Sequence, residues 1–394
     1  MSTDQNYRTL GKGDLTLDAF GNQIVTTRYS LFHGLYTYDV SPFLFHGDID
    51  GVDEDLTTST QITSNNGRLK MDSTAISGNT VVLESRRHPR YQPNRAHHCA
   101  MSIGIPNPTN NAVCDWGMFT SDNGVFFRCG VDGNLYACIM SGGVLTHEEK
   151  ITLPSSHFDG FDVSKGNNYD IDFQWRGVGN YAFYIQDSKS EDFKLVHKIR
   201  LLNTLSESVS IQNPALPIAY RIVSAGEIGS LWSGCADITS SGGAEDRTQY
   251  NSAVSNPVTI ITDTPVIVIR QPETIGGEIN TRDIIIARIT INCDKRSTAS
   301  FWVTKDPTAI TGGTYTPKGN GSFVEVNKTA TAVDTAKLRK FYGLRIEALT
   351  SVSIDNPDHD TIDFFLVHGD YLVITGTNGG AASMDAVIEW GEEV

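Results

Sequence analysis

The sequence lacks any apolar run approaching the roughly 18 residues that a membrane-crossing helix needs. None of its six cysteines, Cys99, Cys114, Cys129, Cys138, Cys235 and Cys293, forms a Cys-x-x-Cys pair, which removes the common redox and zinc spacings. The opening Met1-Ser-Thr-Asp-Gln-Asn-Tyr7 has no basic segment followed by an apolar one, so a signal peptide is not expected and synthesis in a cytoplasm is. Positive charge is scarce: 31 Lys and Arg face 46 Asp and Glu, a formal net charge of −15. Without a basic field to hold phosphates, neither nucleic acid nor an anionic membrane is expected as a partner. Helical periodicity is nearly missing too. The best candidate is 334–342, with Asp334 as its cap, and Tyr342-Gly343 would end it within about two turns.

Strand periodicity fills the space that helix leaves. In Tyr169-Asp-Ile-Asp-Phe-Gln-Trp-Arg176, Tyr169, Ile171, Phe173 and Trp175 point one way and Asp170, Asp172, Gln174 and Arg176 the other. Gly177-Val-Gly-Asn180 then turns the chain, and Tyr181, Phe183 and Ile185 resume the alternation, which predicts a hairpin. Ser121-Asp-Asn-Gly124 and Val131-Asp-Gly-Asn134 punctuate neighbouring apolar runs in the same way. The 36 glycines and 14 prolines are spread along the chain, as many short strands joined by tight turns require.

At 394 residues the chain is too long for one ordinary core. The small, polar stretch Ser240-Ser-Gly-Gly-Ala-Glu-Asp-Arg-Thr-Gln-Tyr-Asn-Ser252 has no period and reads as a linker. Strands are expected beyond it at 266–270, 284–291, 301–304, 344–348, 361–367 and 371–375, the last two around a turn at His368-Gly-Asp370. The resulting plan is all-β. Residues 1–45 form an arm or edge segment, 46–240 a first sandwich, 241–262 a linker and 263–394 a second sandwich.

Patterns that carry chemistry are weak. No Gly-x-Ser-x-Gly elbow or phosphate loop is present. His88, His97, His98 and Cys99 cluster in sequence, but on a strand His97 and His98 face opposite ways, leaving too few local ligands for zinc, and no metal or cofactor is expected. The acidic run Asp48-Ile-Asp-Gly-Val-Asp-Glu-Asp55 has Asp53 where a calcium loop wants glycine, so a solvated turn is the default and calcium stays open. Asp170 and Asp172 have a spacing compatible with paired carboxylates for glycoside chemistry. A solvated outer strand face gives the same pattern, and that is the reading taken. The cysteines read as buried thiols acting as small hydrophobes, with cross-strand disulfides left open. Most tryptophans read as core. The one basic run, Arg86-Arg-His-Pro-Arg-Tyr-Gln-Pro-Asn-Arg95, either contacts an acidic partner or glycan or satisfies internal carboxylates. Candidate partner or glycan contacts are Arg90, Tyr91, Arg95, Trp232 and Tyr315.

Several stretches, in order, resemble strand-rich virion structural proteins of tailed bacteriophages. They are Asp18-Ala-Phe-Gly21, Ser30-Leu-Phe32, Arg90-Tyr-Gln-Pro-Asn-Arg95, Pro106-Asn-Pro108, Gly117-Met-Phe-Thr-Ser-Asp-Asn-Gly-Val-Phe-Phe127, Ile171-Asp-Phe-Gln-Trp-Arg-Gly-Val-Gly179, Val196-His-Lys198, Asn213-Pro-Ala-Leu-Pro-Ile-Ala-Tyr-Arg-Ile222 and Val387-Ile-Glu-Trp-Gly-Glu-Glu393. The likeness spans most of 17–243 and, more loosely, the rest. It departs from the family's pattern at four clustered cysteines and at Gly160-Phe-Asp162. The resemblance implies a non-enzymatic virion component with a jelly-roll-like first sandwich. An exposed accessory is expected, such as a capsid decoration, head fibre or tail-attached protein, docking on other virion proteins as a homo-oligomer, with a trimer as the guess. The rival expectations are a carbohydrate- or receptor-binding module on the virion surface and a polysaccharide-degrading β-sandwich enzyme.

Overall fold

A computed structural model describes residues 16–17, 23–24 and 28–393, apart from 43, 94, 110–111, 159, 191, 204–207, 242–247, 276–277, 281, 283, 320–321, 356–364 and 367–368. The described chain is almost entirely strand, in two compact units, Met1–Glu245 and Asp246–Val394. The all-β sandwich plan read from the sequence is what the structure shows.

In the first unit a short hairpin, β1 (Thr16–Leu17) and β2 (Gln23–Ile24), precedes two large antiparallel sheets. Sheet one runs β13 (Val144–Lys150), β12 (Leu135–Ser141), β11 (Gly124–Cys129), β10 (Ala112–Phe119), β17 (Ile218–Ser224), β8 (Thr80–Ser85), β4 (Phe45–Ile49) and β5 (Val52–Glu54). Sheet two runs β16 (Phe193–Arg200), β15 (Asn180–Gln186), β14 (Asn167–Gln174), β9 (His97–Gly104), β18 (Ser230–Ser241), β7 (Arg68–Asp72) and β6 (Ile62–Asn65). Strand β3 (Arg28–Leu35) pairs with the C-terminal part of β18. The end of the segment read as an arm is therefore built into the sandwich, while residues 1–15 lie outside the described residues.

Alternation decides what goes between the sheets. Tyr169, Ile171 and Phe173 of β14, with Tyr181, Phe183 and Ile185 of β15, are all buried in the core. They meet Trp116 and Phe127 from sheet one. Trp116 stacks on Phe127 with ring centres 5.7 Å apart, and Tyr169 and Phe183 approach Phe127 edge-on at 5.1 and 5.0 Å. Burying each such ring contributes on the order of 2–3 kcal/mol, which fixes the register against a one-residue slip. The β14–β15 turn forms where the sequence places it. Arg176 (φ 43°) and Gly177 (φ 77°) both enter the left-handed region that a tight hairpin needs.

The second unit stacks two more antiparallel sheets. One is centred on Ile284–Cys293 and Ala382–Glu393; the other runs Thr316–Gly319, Ser322–Asn327, Thr264–Arg270, Tyr371–Thr377, Ser297–Thr304, Arg339–Ile346. Two expectations change here. Part of the segment read as a linker is strand, because Thr248–Val254 and Val258–Ile260 both pair with Ala382–Glu393. Asp334 does cap, accepting from the Ala336 N–H at 3.2 Å, but what it caps is one 3-10 turn, Thr335–Lys337. Strand Arg339–Ile346 follows, since pairing with Ser297–Thr304 overrides the weak local helix signal. Of the strand expected at 361–367, only Phe365–Leu366 falls within the described residues, and it is strand.

Candidate functional site

The polar side of β14 is not a solvated exterior. Asp170, Asp172 and Gln174 are only 7%, 3% and 2% exposed, although they face away from the core that Tyr169, Ile171 and Phe173 enter. This corrects the reading that set the two carboxylates aside as an outer polar face.

The register shows what surrounds them. Asp170 lies between Ala100 of β9 and Tyr184 of β15, with Asp237 of β18 on the far side of Ala100. Asp172 lies between His98 and Ala182, with Thr239 beyond His98. Gln174 lies opposite Asn180 at the hairpin end. Ala100 is half-buried, so solvent reaches the sheet beside Asp170, whereas His98, Ala182 and Asn180 are enclosed. The His98 Nε2 and Ser241 Oγ are 3.0 Å apart, which pins the imidazole. Two buried acceptors, Gln174 Oε1 and Asn180 Oδ1, have no hydrogen-bond partner. A buried amide oxygen without a donor is costly, by about 1–3 kcal/mol, and any hydroxyl donor brought to it would offset that cost.

The carboxylates bear on neighbouring titratable groups. Burial first, then the charges of Asp170 and Asp237, hold the Cys99 thiol well above its ordinary value. Burial also raises the Tyr91 hydroxyl, with Asp172 adding to it and Arg176 opposing. No group of three or more His, Cys, Asp or Glu side chains able to hold a metal occurs among the described residues. His97 and Cys99 face the core and His98 faces out, so the histidine–cysteine cluster is split by the pleat. The acids of 48–55 are spent on local structure: Asp48 accepts from the Gly51 N–H (2.8 Å), Asp50 from Asn79 Nδ2 and the Thr80 N–H (both 2.7 Å), and Asp55 from the Thr57 N–H (3.0 Å).

The residues singled out from sequence are not gathered in one place. Tyr91 is part of the core margin, with ring centres 5.3 Å from His97, 5.4 Å from Phe173 and 5.8 Å from Trp175. Arg90 and Arg95 are half-buried in the same segment. Tyr315 belongs to the second unit, where it packs on Tyr371 and lies under the Arg270 guanidinium at 4.6 Å. Trp116 and Trp390 are fully buried, as core tryptophans should be, but Trp232 is not. It lies half-buried on the outer face of sheet two, beside Gly104 of β9, on the same side as Asp170 and Asp172. Asn180 was missed altogether, as was the role of Gln174. Their signal was the third successive polar residue in Asp-Ile-Asp-Phe-Gln174 and the amide that the hairpin brings opposite it.

No protein-family model matches this chain, and no curated protein sequence does either. Solved structures do match. One comes from work on endo-acting O-glycanases of prominent human gut microbiota members, at 12% identity over 54% of this chain and 99% of that one (TM-score 0.38). Another is a putative β-glucanase from Mycobacterium abscessus, at 12% identity over 53% of this chain and 100% of the other (TM-score 0.38). A third is the CBM2 module of the evolved Dit of Lactobacillus casei BL23 phage J-1, at 7% identity over 56% and 99% (TM-score 0.36). The expectation of a non-enzymatic structural component of a virion is corrected at this point. The matched structures are in the main glycoside hydrolases and glucanases, and the strand face dismissed as solvated is an enclosed row of carboxylates and amides.

Proposed function

We propose that the first unit acts on carbohydrate, and that the outer face of sheet two, around Asp170 and Asp172, is where it hydrolyses a glycosidic bond. The observation that carries this reading is the placement of two enclosed carboxylates at successive same-face positions of β14, next to two buried amide acceptors without partners. Successive same-face positions are about 6.6 Å apart along a strand, within the roughly 5–10 Å range over which paired carboxyls work on a glycosidic bond. One carboxyl gives its proton to the leaving oxygen as the C1–O bond breaks. The other meets the anomeric carbon, directly or through a water whose proton it takes. Gln174 and Asn180 accept hydrogen bonds from sugar hydroxyls.

The setting we propose for this activity is a phage particle, a reading supported by the ordered sequence resemblance across 17–243. Detection of the chain in purified particles would support that setting, and its absence from them would remove it.

The activity itself is tested by incubating the purified chain with a panel of bacterial surface polysaccharides and β-glucans and measuring new reducing ends. Turnover by the native chain that is lost in both Asp170→Asn and Asp172→Asn is the expected result. Turnover that survives both substitutions, or no product from any substrate, would sink the proposal.

A further inference from the structure

We infer that Arg68 and Trp232 form a subsite for a carboxylate-bearing sugar, such as a uronic acid, on the face that holds Asp170 and Asp172. This rests on the reading of that face as the glycan site and names the class of glycan it takes.

Trp232 is held flat against sheet two by the absence of side chains beneath it. A Cβ on Gly104 would come within 2.3 Å of the indole, and one on Gly166 within 2.6 Å. The guanidinium of Arg68, from neighbouring β7, sits 4.7 Å from the indole centre. Stacking of this kind orients the planar guanidinium and keeps its N–H donors pointing away from the ring.

Among the described residues Arg68 makes no ion pair, and its Nε is buried with no acceptor. The nearest acid on its own strand, Asp72, is already taken by Lys70 (2.5 Å) and Ser230 (2.6 Å). A guanidinium presents a two-pronged donor that fits a carboxylate, and a sugar carboxylate would complete it. Lys70, the register partner of Trp232, is held by Asp72 on the same strand face, which leaves Arg68 as the cation of this strand without an acid.

Gly104 lies four residues along β9 from Ala100, the neighbour of Asp170. With two strand spacings added, the indole is about 16 Å from Asp170 and about 22 Å from Asp172. One extended oligosaccharide spans that gap, placing an acidic sugar at Arg68 while a bond further along reaches Asp170 and Asp172. The net charge of −15 repels polyanions at long range, so acid selection must come from local contacts and weaken with salt.

The test is calorimetric binding of polygalacturonate and alginate oligosaccharides against cello- and laminari-oligosaccharides of matched length, using full-length protein. Asp170→Asn is the background, so that binding is read without turnover. Tighter binding of the acidic set is expected. Arg68→Gln should weaken acidic binding by at least tenfold and leave neutral binding unchanged, Arg68→Lys should restore part of it, and Trp232→Ala should weaken both. Thermal melting of each variant checks folding. Equal binding of both sets by the native face, or acidic binding unchanged in Arg68→Gln, overturns the inference. If the acidic preference holds while native protein shows no turnover, the hydrolase reading falls and the subsite stands.

Discussion

The two sheets of the first unit each bury acid on their outer face, and they do it in opposite ways. On sheet one, Asp115 is fully buried in a single cross-strand row between Arg128 and Arg221. Arg128 meets its Oδ1 at 2.8 Å, and Arg221 meets its Oδ2 at 2.9 and 2.7 Å. Both guanidinium groups lie over the Phe126 ring, and Arg221 also lies over Phe119, which fixes them from above. That row is chemically closed. On sheet two, neither strand beside β14 places an arginine or lysine opposite Asp170 or Asp172; the flanking positions hold Ala100, His98, Tyr184 and Ala182. Buried acid held between two guanidiniums belongs to the fold. On sheet two the strands directly beside the acids supply alanine, histidine and tyrosine instead, and the amide oxygens of Gln174 and Asn180 near them have no donor.

The largest effect expected from this contrast is on chemistry. Asn in place of Asp170 or Asp172 should cut turnover by at least ~100-fold, the usual scale for losing a proton-transferring or attacking carboxyl. The melting temperature should stay close to the native value, because Asn keeps the size of Asp and one of its acceptor oxygens. The contrast breaks if these variants melt as low as a variant of the closed row. For that row, Asp115→Ala leaves two guanidiniums facing each other without their carboxylate, at about 3 kcal/mol. In a unit of this size that is a fall of roughly 6–12 °C in melting temperature. A loss below about 1 kcal/mol would show that the arginines find other acceptors, with Glu148, 2.8 Å from Arg128 Nη1, the first to consider.

Much of the fold was legible because strand period and turn chemistry agree. Tyr169 to Ile185 reads as a hairpin from its alternation and its Gly-Val-Gly turn, and the structure forms it there. The enclosure of the other side of β14 was not legible. A half-polar strand looks the same whether water or a ligand faces it. The neighbours that distinguish the cases, Ala100 and His98 on β9 and Asp237 on β18, arrive from distant parts of the chain. The segment around Thr248–Val254 failed differently. Its side chains carry no period, and it is strand only because its backbone pairs with the last strand, Ala382–Glu393. In the sequence Trp232 reads two ways at once, as core by its place in a strand pattern and as a candidate glycan contact. The two glycines that make room for it on the outer face come from other elements.

The smallest expected effect separates the two sides of β9 itself. His97 and His98 are adjacent in sequence, and the pleat sends His97 into the core margin and His98 onto the site face. Burial pulls the His97 imidazole down from 6.5 to about 4. Its folded value lies below its unfolded one, so between those limits the unfolded chain binds the extra proton. Stability is then complete above about pH 6.5, falls as the pH drops toward 4, and is about 2 kcal/mol lower at pH 5 on this account alone. His97→Phe keeps the ring contacts with Tyr91 and Phe173 and removes the titrating group. The difference between the native and variant melting curves should therefore shrink from pH 7 to pH 5 by about that 2 kcal/mol, with other acid-labile groups cancelling. The acid limb of the turnover profile should not move, because His97 faces away from Asp172. A shifted turnover profile with an unchanged stability difference would place His97 on the site side of the sheet and undo the division between the two faces.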